Sequence, residues 1–203
     1  MRPLTIGFAI LVLTSFAAAQ SSIHEVNFQN FTYPLSGPLL GHGSLVWLGK
    51  SDSAHRKQPI HLVDGKDLTK ESSFKMDGKE YAQYKGFTLQ SVSFADLTGD
   101  DRDDAIVVLR YYTGGTQTTN YVYFYTFEHG MPVLLAYCHS GDRAYEGLNA
   151  VYGDHGVLVF ELFDPDKRQG DCCSSGLIVR RFKWRSGHFQ PFGAIERRPF
   201  KEQ

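Results

Sequence analysis

The sequence predicts a mainly β fold, an antiparallel meander of about eight strands forming a curled sheet or two layers. Three observations carry this. From residue 87 onward, short runs rich in Val, Ile, Tyr and Phe follow one another with side chains alternating between two faces. Glycine-bearing turn dipeptides separate the runs at hairpin spacing. In that region no segment keeps a helical period over three turns.

Taken in order, 87–95 is the first run. Residues 105–112 are apolar on both alternating faces, as a central strand covered on both sides would be. Gly114-Gly115 breaks it, and in 120–127 the side chains of Tyr121, Tyr123, Tyr125 and Phe127 share one face. His129-Gly130 turns the chain into 132–138. The runs 148–152 and 157–163 flank Gly153-Asp154-His155-Gly156, and after a longer loop over 164–176 the runs 177–184 and 188–192 meet at Ser186-Gly187.

Residues 20–86 read as an N-terminal extension packing on the same sheet, with 87–203 as the antiparallel β domain. Segments 27–33, 45–48 and 60–63 have strand character, while Asp64-Gly65 and Asp77-Gly78 mark turns. An α+β arrangement is the alternative, with one or two short N-terminal helices, for instance over 67–75.

With 21 Lys+Arg against 22 Asp+Glu and a net charge of -1, the chain lacks the basic excess that a polyanion partner requires. Nucleic acid is therefore not an expected partner. Residues 1–19 carry Arg2, an apolar run and then Ala17 and Ala19 at the -3 and -1 positions of a cleavage site before Gln20, which is the pattern of a signal peptide. The expected product is secreted or periplasmic, with no membrane insertion after cleavage. In that oxidising setting Cys138, Cys172 and Cys173 are disulfide candidates, with a bridge from Cys138 to either neighbour, a vicinal bridge and the reduced state all open.

The segment with most chemistry in it is Asp96-Leu97-Thr98-Gly99-Asp100-Asp101-Arg102-Asp103-Asp104. Asp96, Thr98, Asp100 and Asp104 occupy the first, third, fifth and ninth positions, and the Arg102 carbonyl the seventh, a spacing by which a short loop wraps calcium. Five carboxylates crowd into nine residues with Arg102 as the lone internal cation. Two such charges about 6 Å apart repel by roughly 0.7 kcal/mol in water, which favours recruiting an ion or splaying the side chains. A solvated acidic hairpin is the plainer reading.

This stretch resembles the FG-GAP and VCBS-type repeats, whose acidic loops join strands of extracellular propellers and bind calcium. One copy is present, so the resemblance does not extend to a propeller. Asp96-Leu97-Thr98-Gly99-Asp100, Tyr112-Thr113-Gly114-Gly115-Thr116 and Gly170-Asp171-Cys172-Cys173-Ser174-Ser175-Gly176 together look like uncharacterised exported bacterial proteins. They are also similar to the LppP/LprE-type lipoprotein family, in which a Cys-Cys-Pro-Ser element precedes the last strands; Ser174 stands at the Pro position. The resemblance implies an exported bacterial domain and brings no activity with it.

No nucleophile elbow, phosphate-binding loop or dinucleotide fingerprint is present. His129, His155 and His188 fall at turns, where a solvated imidazole is the ordinary state. The aromatic ladder from Tyr121 to Phe127, with Tyr111 and Tyr112, reads first as sheet packing and second as a carbohydrate-stacking platform. The expected function is a non-enzymatic exported β domain, calcium-stabilised at its acidic loop, binding a protein or glycan at the cell envelope. The competing expectation is an envelope hydrolase using Asp96 or Asp104 with a nearby His. Thiol redox work at Cys172-Cys173 is a third.

Overall fold

The computed structural model describes residues 21–35, 45–48, 59–115, 117–169 and 173–200; the expected signal peptide and Cys172 lie outside these. The strands are β1 (Thr32–Tyr33), β2 (Val46–Leu48), β3 (Ile60–His61), β4 (Lys66–Met76), β5 (Lys79–Ala95), β6 (Asp104–Thr113), β7 (Thr118–Glu128) and β8 (Met131–His139). They continue with β9 (Leu148–Asp154), β10 (Val157–Phe163), β11 (Arg168–Gln169), β12 (Cys173–Ser174), β13 (Gly176–Arg185), β14 (His188–Pro191) and β15 (Glu196–Pro199). Two single-turn 3₁₀ segments, Ile23–Glu25 and Pro165–Lys167, are the helical elements among the described residues. None of the described helices is long and apolar enough to cross a membrane.

The fold is mainly β and antiparallel, as expected, and the sheets do not close into a barrel. A six-stranded sheet has the order β2-β8-β7-β6-β5-β4, and a second sheet runs β14-β13-β10-β9, with β15 also paired to β13. The hairpin dipeptides act through positive φ at both central residues: His129 and Gly130, His155 and Gly156, and Ser186 and Gly187 each form such a pair.

Register explains the two faces. Val107 pairs with Tyr123 and Ile106 with Phe124. One face of β6 and β7 therefore presents Val107, Leu109, Tyr121, Tyr123 and Tyr125, and the other Ile106, Val108, Val122 and Phe124. The second sheet covers the latter face with Leu158, Phe160, Leu162, Phe182 and Phe189. The former is covered by the N-terminal segment, through Ile23, Val26, Phe28, Tyr33, Ile60 and Leu62. Tyr33 donates its hydroxyl to the Phe28 carbonyl at 2.6 Å, and Tyr123 reaches the Pro34 carbonyl at 2.9 Å. The tyrosine ladder is core, with Tyr121, Tyr123 and Tyr125 at most 3 % exposed. It is not a surface platform.

Two expectations change. Residues 67–75 form no helix; they lie in β4, paired antiparallel with β5 from Lys66↔Thr88 to Met76↔Lys79. Asp77 and Gly78, with φ of 52° and 76°, close this hairpin in the geometry that a two-residue turn requires. The strand expected over 87–95 consequently starts at Lys79. Its polar first half, Lys79 to Lys85, has no buried face to impose an apolar alternation.

Tyr33, in the covering segment, and Phe124, in β7, fill the two cores on opposite faces of the six-stranded sheet, and each can be replaced by Ala. Either replacement is expected to cost about 3–5 kcal/mol in denaturant unfolding while keeping a single transition. An unchanged midpoint for Tyr33→Ala would show that the N-terminal segment is not part of the core.

Candidate functional site

The acidic loop joins β5 to β6, and its carboxylates fold back onto the loop's own backbone. Asp96 accepts from the N–H groups of Gly99 (2.6 Å), Asp100 (3.3 Å) and Asp101 (3.0 Å). Asp104, at 0 % exposure, takes the N–H groups of Leu97 and Thr98 on Oδ2, each at 3.0 Å. Asp100 accepts the Arg102 N–H at 3.1 Å and pairs with its guanidinium, which also reaches the Phe127 carbonyl at 3.5 Å. Gly99 and Asp101 take up the left-handed conformations the turn needs, at φ of 79° and 62°.

Burial pushes the Asp104 carboxyl above its ordinary range, against the Thr126 hydroxyl and the two backbone N–H groups, which pull it down. At Asp100 desolvation acts upward, but the hydrogen bonds and charge of Arg102 outweigh it and hold the group low. Asp103 leaves the loop and meets His24, whose Nε2 lies 2.9 Å away and whose ring packs on Phe94.

The predicted calcium donors are thus partly engaged and partly open. Both oxygens of Asp96 accept backbone N–H groups, Asp100 is paired, and Asp104 Oδ1 and Thr98 Oγ1 are buried without a hydrogen bond. Calcium takes six to eight oxygens, so an ion entering here would share Asp96 with backbone N–H groups and compete with the Arg102 guanidinium for Asp100. Among the described residues no three His, Cys, Asp or Glu side chains converge as a metal cage. For the hydrolase expectation, the imidazole that the loop brings close pairs with Asp103 and not with Asp96 or Asp104.

Cys138 is a free thiol in β8, 0 % exposed beneath the second sheet, and burial pushes its pKa well up, which makes it inert. Of the open alternatives, a bridge to Cys138 is therefore not made; its side chain joins the core between the sheets.

The other distinctive surface is one the sequence did not flag. The β4–β5 hairpin runs past the end of β6, whose last pair is Thr113 with Lys85, so residues 70–84 form a two-stranded ribbon. Every residue from 69 to 82 is exposed, on both faces. Phe74 (45 %), Met76 (52 %), Tyr81 (40 %) and Tyr84 (47 %) stand in water, with Phe74 and Tyr81 stacked at 5.6 Å across the strands. The arm's root is fixed. Gly86 has φ of 129°, and a Cβ there would lie 2.0 Å from the Asp67 carbonyl oxygen. Glu71, the extra residue of a bulge in β4, pairs with Lys85 at 3.4 Å.

A groove of about 410 Å³ lies at that root, lined by Leu68, Phe74, Gln83, Tyr84, Thr88, Tyr112 and the Gly114-Gly115 turn. A second, of about 220 Å³, lies beside Trp47 and Phe182; its arginines are neutralised, Arg180 by Glu146 at 2.7 Å and Arg181 by Glu196 at 2.8 Å. The acidic loop lines neither groove. The near-symmetric placement of Phe74 and Tyr81 about Asp77-Gly78 was the available signal for the arm. Comparison of the chain with protein-family models, curated proteins and solved structures finds no significant match.

The folded protein holds the Asp104 proton more tightly than the unfolded chain does. This group's contribution to stability therefore falls as pH rises from the ordinary carboxylate range through the raised value. Asp104→Asn is expected to flatten that part of the pH profile and to be neutral or stabilising at pH 7. Asp104→Ala orphans two N–H groups and should cost about 1–3 kcal/mol. Both effects should be equal in calcium and in chelator. A calcium-dependent rise in melting temperature that Asp104→Asn abolishes would contradict the self-capped loop.

Proposed function

We propose that this chain is an exported, non-enzymatic β domain that binds a protein or glycan at the cell envelope through the β4–β5 arm. The observation that carries the reading is the arm itself. A two-stranded ribbon is marginal in water on its own, and this one exposes four large apolar side chains on a scaffold whose core is elsewhere complete. Exposed aromatic groups on a rigid support are the usual anchors of recognition surfaces.

The signal-like residues 1–19 support export. Against a hydrolase stands the disposition of the loop carboxylates, which are engaged by backbone donors and away from either groove. In this reading the acidic loop braces the turn between β5 and β6 through its own hydrogen bonds and needs no calcium to do so.

Thr69 and Lys85 pair directly, so residues 70–84 can be replaced by Asn-Gly between them. The shortened protein is expected to melt within about 3 °C of the parent, since few buried contacts are lost. The parent should sediment with envelope material of the producing cell, and the shortened form should not. Equal sedimentation of the two, or sedimentation of neither, would overturn the reading.

A further inference from the structure

We propose that the groove at the root of the arm binds an uncharged saccharide chain, with sugar rings stacked on Tyr84 and Tyr112. The proposal rests on the binding-module reading and names its ligand class. The groove's volume, about 410 Å³, lies in the range of small-molecule clefts. None of its lining side chains carries a charge at neutral pH. The nearby charges are spent on one another: Glu71 packs against Gly114 and pairs with Lys85 at 3.4 Å. An anionic ligand finds no unpaired cation in the lining, and a cationic one finds no carboxylate.

What the lining offers is flat aromatic surface interleaved with neutral hydrogen-bonding groups. A pyranose ring has the matching anatomy, a face of C–H groups and an edge of hydroxyls. The faces fit the tyrosine rings, and the hydroxyls fit the Gln83 amide and the Thr88 hydroxyl. Thr88 accepts from Gln90 at 2.9 Å, which leaves its own O–H to donate. Sheet register makes the cleft. Leu68, Gly86 and Tyr112 are cross-strand neighbours in one row, and Leu68 and Tyr112 line the groove on either side of Gly86, whose side-chain position the Asp67 carbonyl fills. Gly115 has room where a side chain would stand and lowers the far wall, so a ligand can approach backbone there.

The test uses the mature full-length chain and titrates it with cellohexaose, chitohexaose, laminarihexaose and mannohexaose. Polygalacturonate and heparin oligosaccharides serve as acidic comparators, and heat of binding is the readout. At least one neutral hexaose should bind, with Kd roughly millimolar or tighter. Tyr84→Ala and Tyr112→Ala should each weaken it at least about fivefold without lowering the melting temperature, and Tyr112→Phe should retain it. If Tyr112→Ala fails to fold, Tyr84→Ala decides, because its ring is already exposed. Binding of no neutral hexaose, preference for the acidic oligosaccharides, or indifference to both alanine variants would overturn the proposal. Failure of every saccharide alongside arm-dependent envelope binding would reject the glycan and leave the binding module standing with a protein partner.

Discussion

The structure depends on one constraint: strands β6 and β7 are apolar on both faces and so need two covers. Ile106, Val108, Val122 and Phe124 face one way, and Val107, Leu109, Tyr121, Tyr123 and Tyr125 the other. At about 25 cal/mol per Å² of apolar surface, neither face can remain wet in a stable domain. The second sheet meets the first demand and the N-terminal segment the second. The buried tyrosines divide: the hydroxyls of Tyr33 and Tyr123 find partners in backbone carbonyls of the covering segment, while those of Tyr121 and Tyr125 are buried without one. Burial holds those phenols neutral, with pKa values pushed well up.

The arm is the part of the main sheet that this constraint does not reach. Past Lys85 and Thr113 the described residues supply no third strand and no cover, so the same hydrogen-bonded ladder continues without a core. Its direction is set at the root, where Gly86 lets the Asp67 carbonyl approach and the bulge at Glu71 twists the ribbon. That bulge and the lysines of β4 also blunt the sheet's free edge, which leaves the exposed side chains, and not the edge backbone, available for recognition. The acidic loop solves a different local problem. Its carboxylates supply acceptors for the turn's otherwise unpaired N–H groups, so much of the charge that appears excessive in the sequence has a structural use.

How much was legible follows from where burial imposes a pattern. β6 declared itself a doubly covered strand because Ala105 to Leu109 is apolar without alternation. The hairpins at His129-Gly130, His155-Gly156 and Ser186-Gly187 were readable because positive φ restricts the residues allowed. The arm was not readable by the same rules. With both faces in water, Lys70, Ser72, Ser73 and Lys75 carry no period, and a short helix seemed as good a reading as a strand. At the acidic loop the spacing was visible but the direction of the side chains was not. Asp96 and Asp104 point to backbone donors that composition alone cannot place. Cys138 illustrates the same limit: disulfide geometry depends on which strand faces which, and β8 turns this thiol into the core.

Residue-resolved hydrogen exchange on the folded protein tests the central claim most directly, because it separates the doubly covered sheet from the uncovered ribbon. Amides of β6 and β7 should exchange only through global unfolding, together with the Leu62 and Gly65 amides that tie the N-terminal segment in place. Amides of residues 70–84 should exchange orders of magnitude faster, with no effect on the rest. Uniform protection of the arm at the level of β6, or rapid exchange of β7 beneath an intact second sheet, would contradict the account.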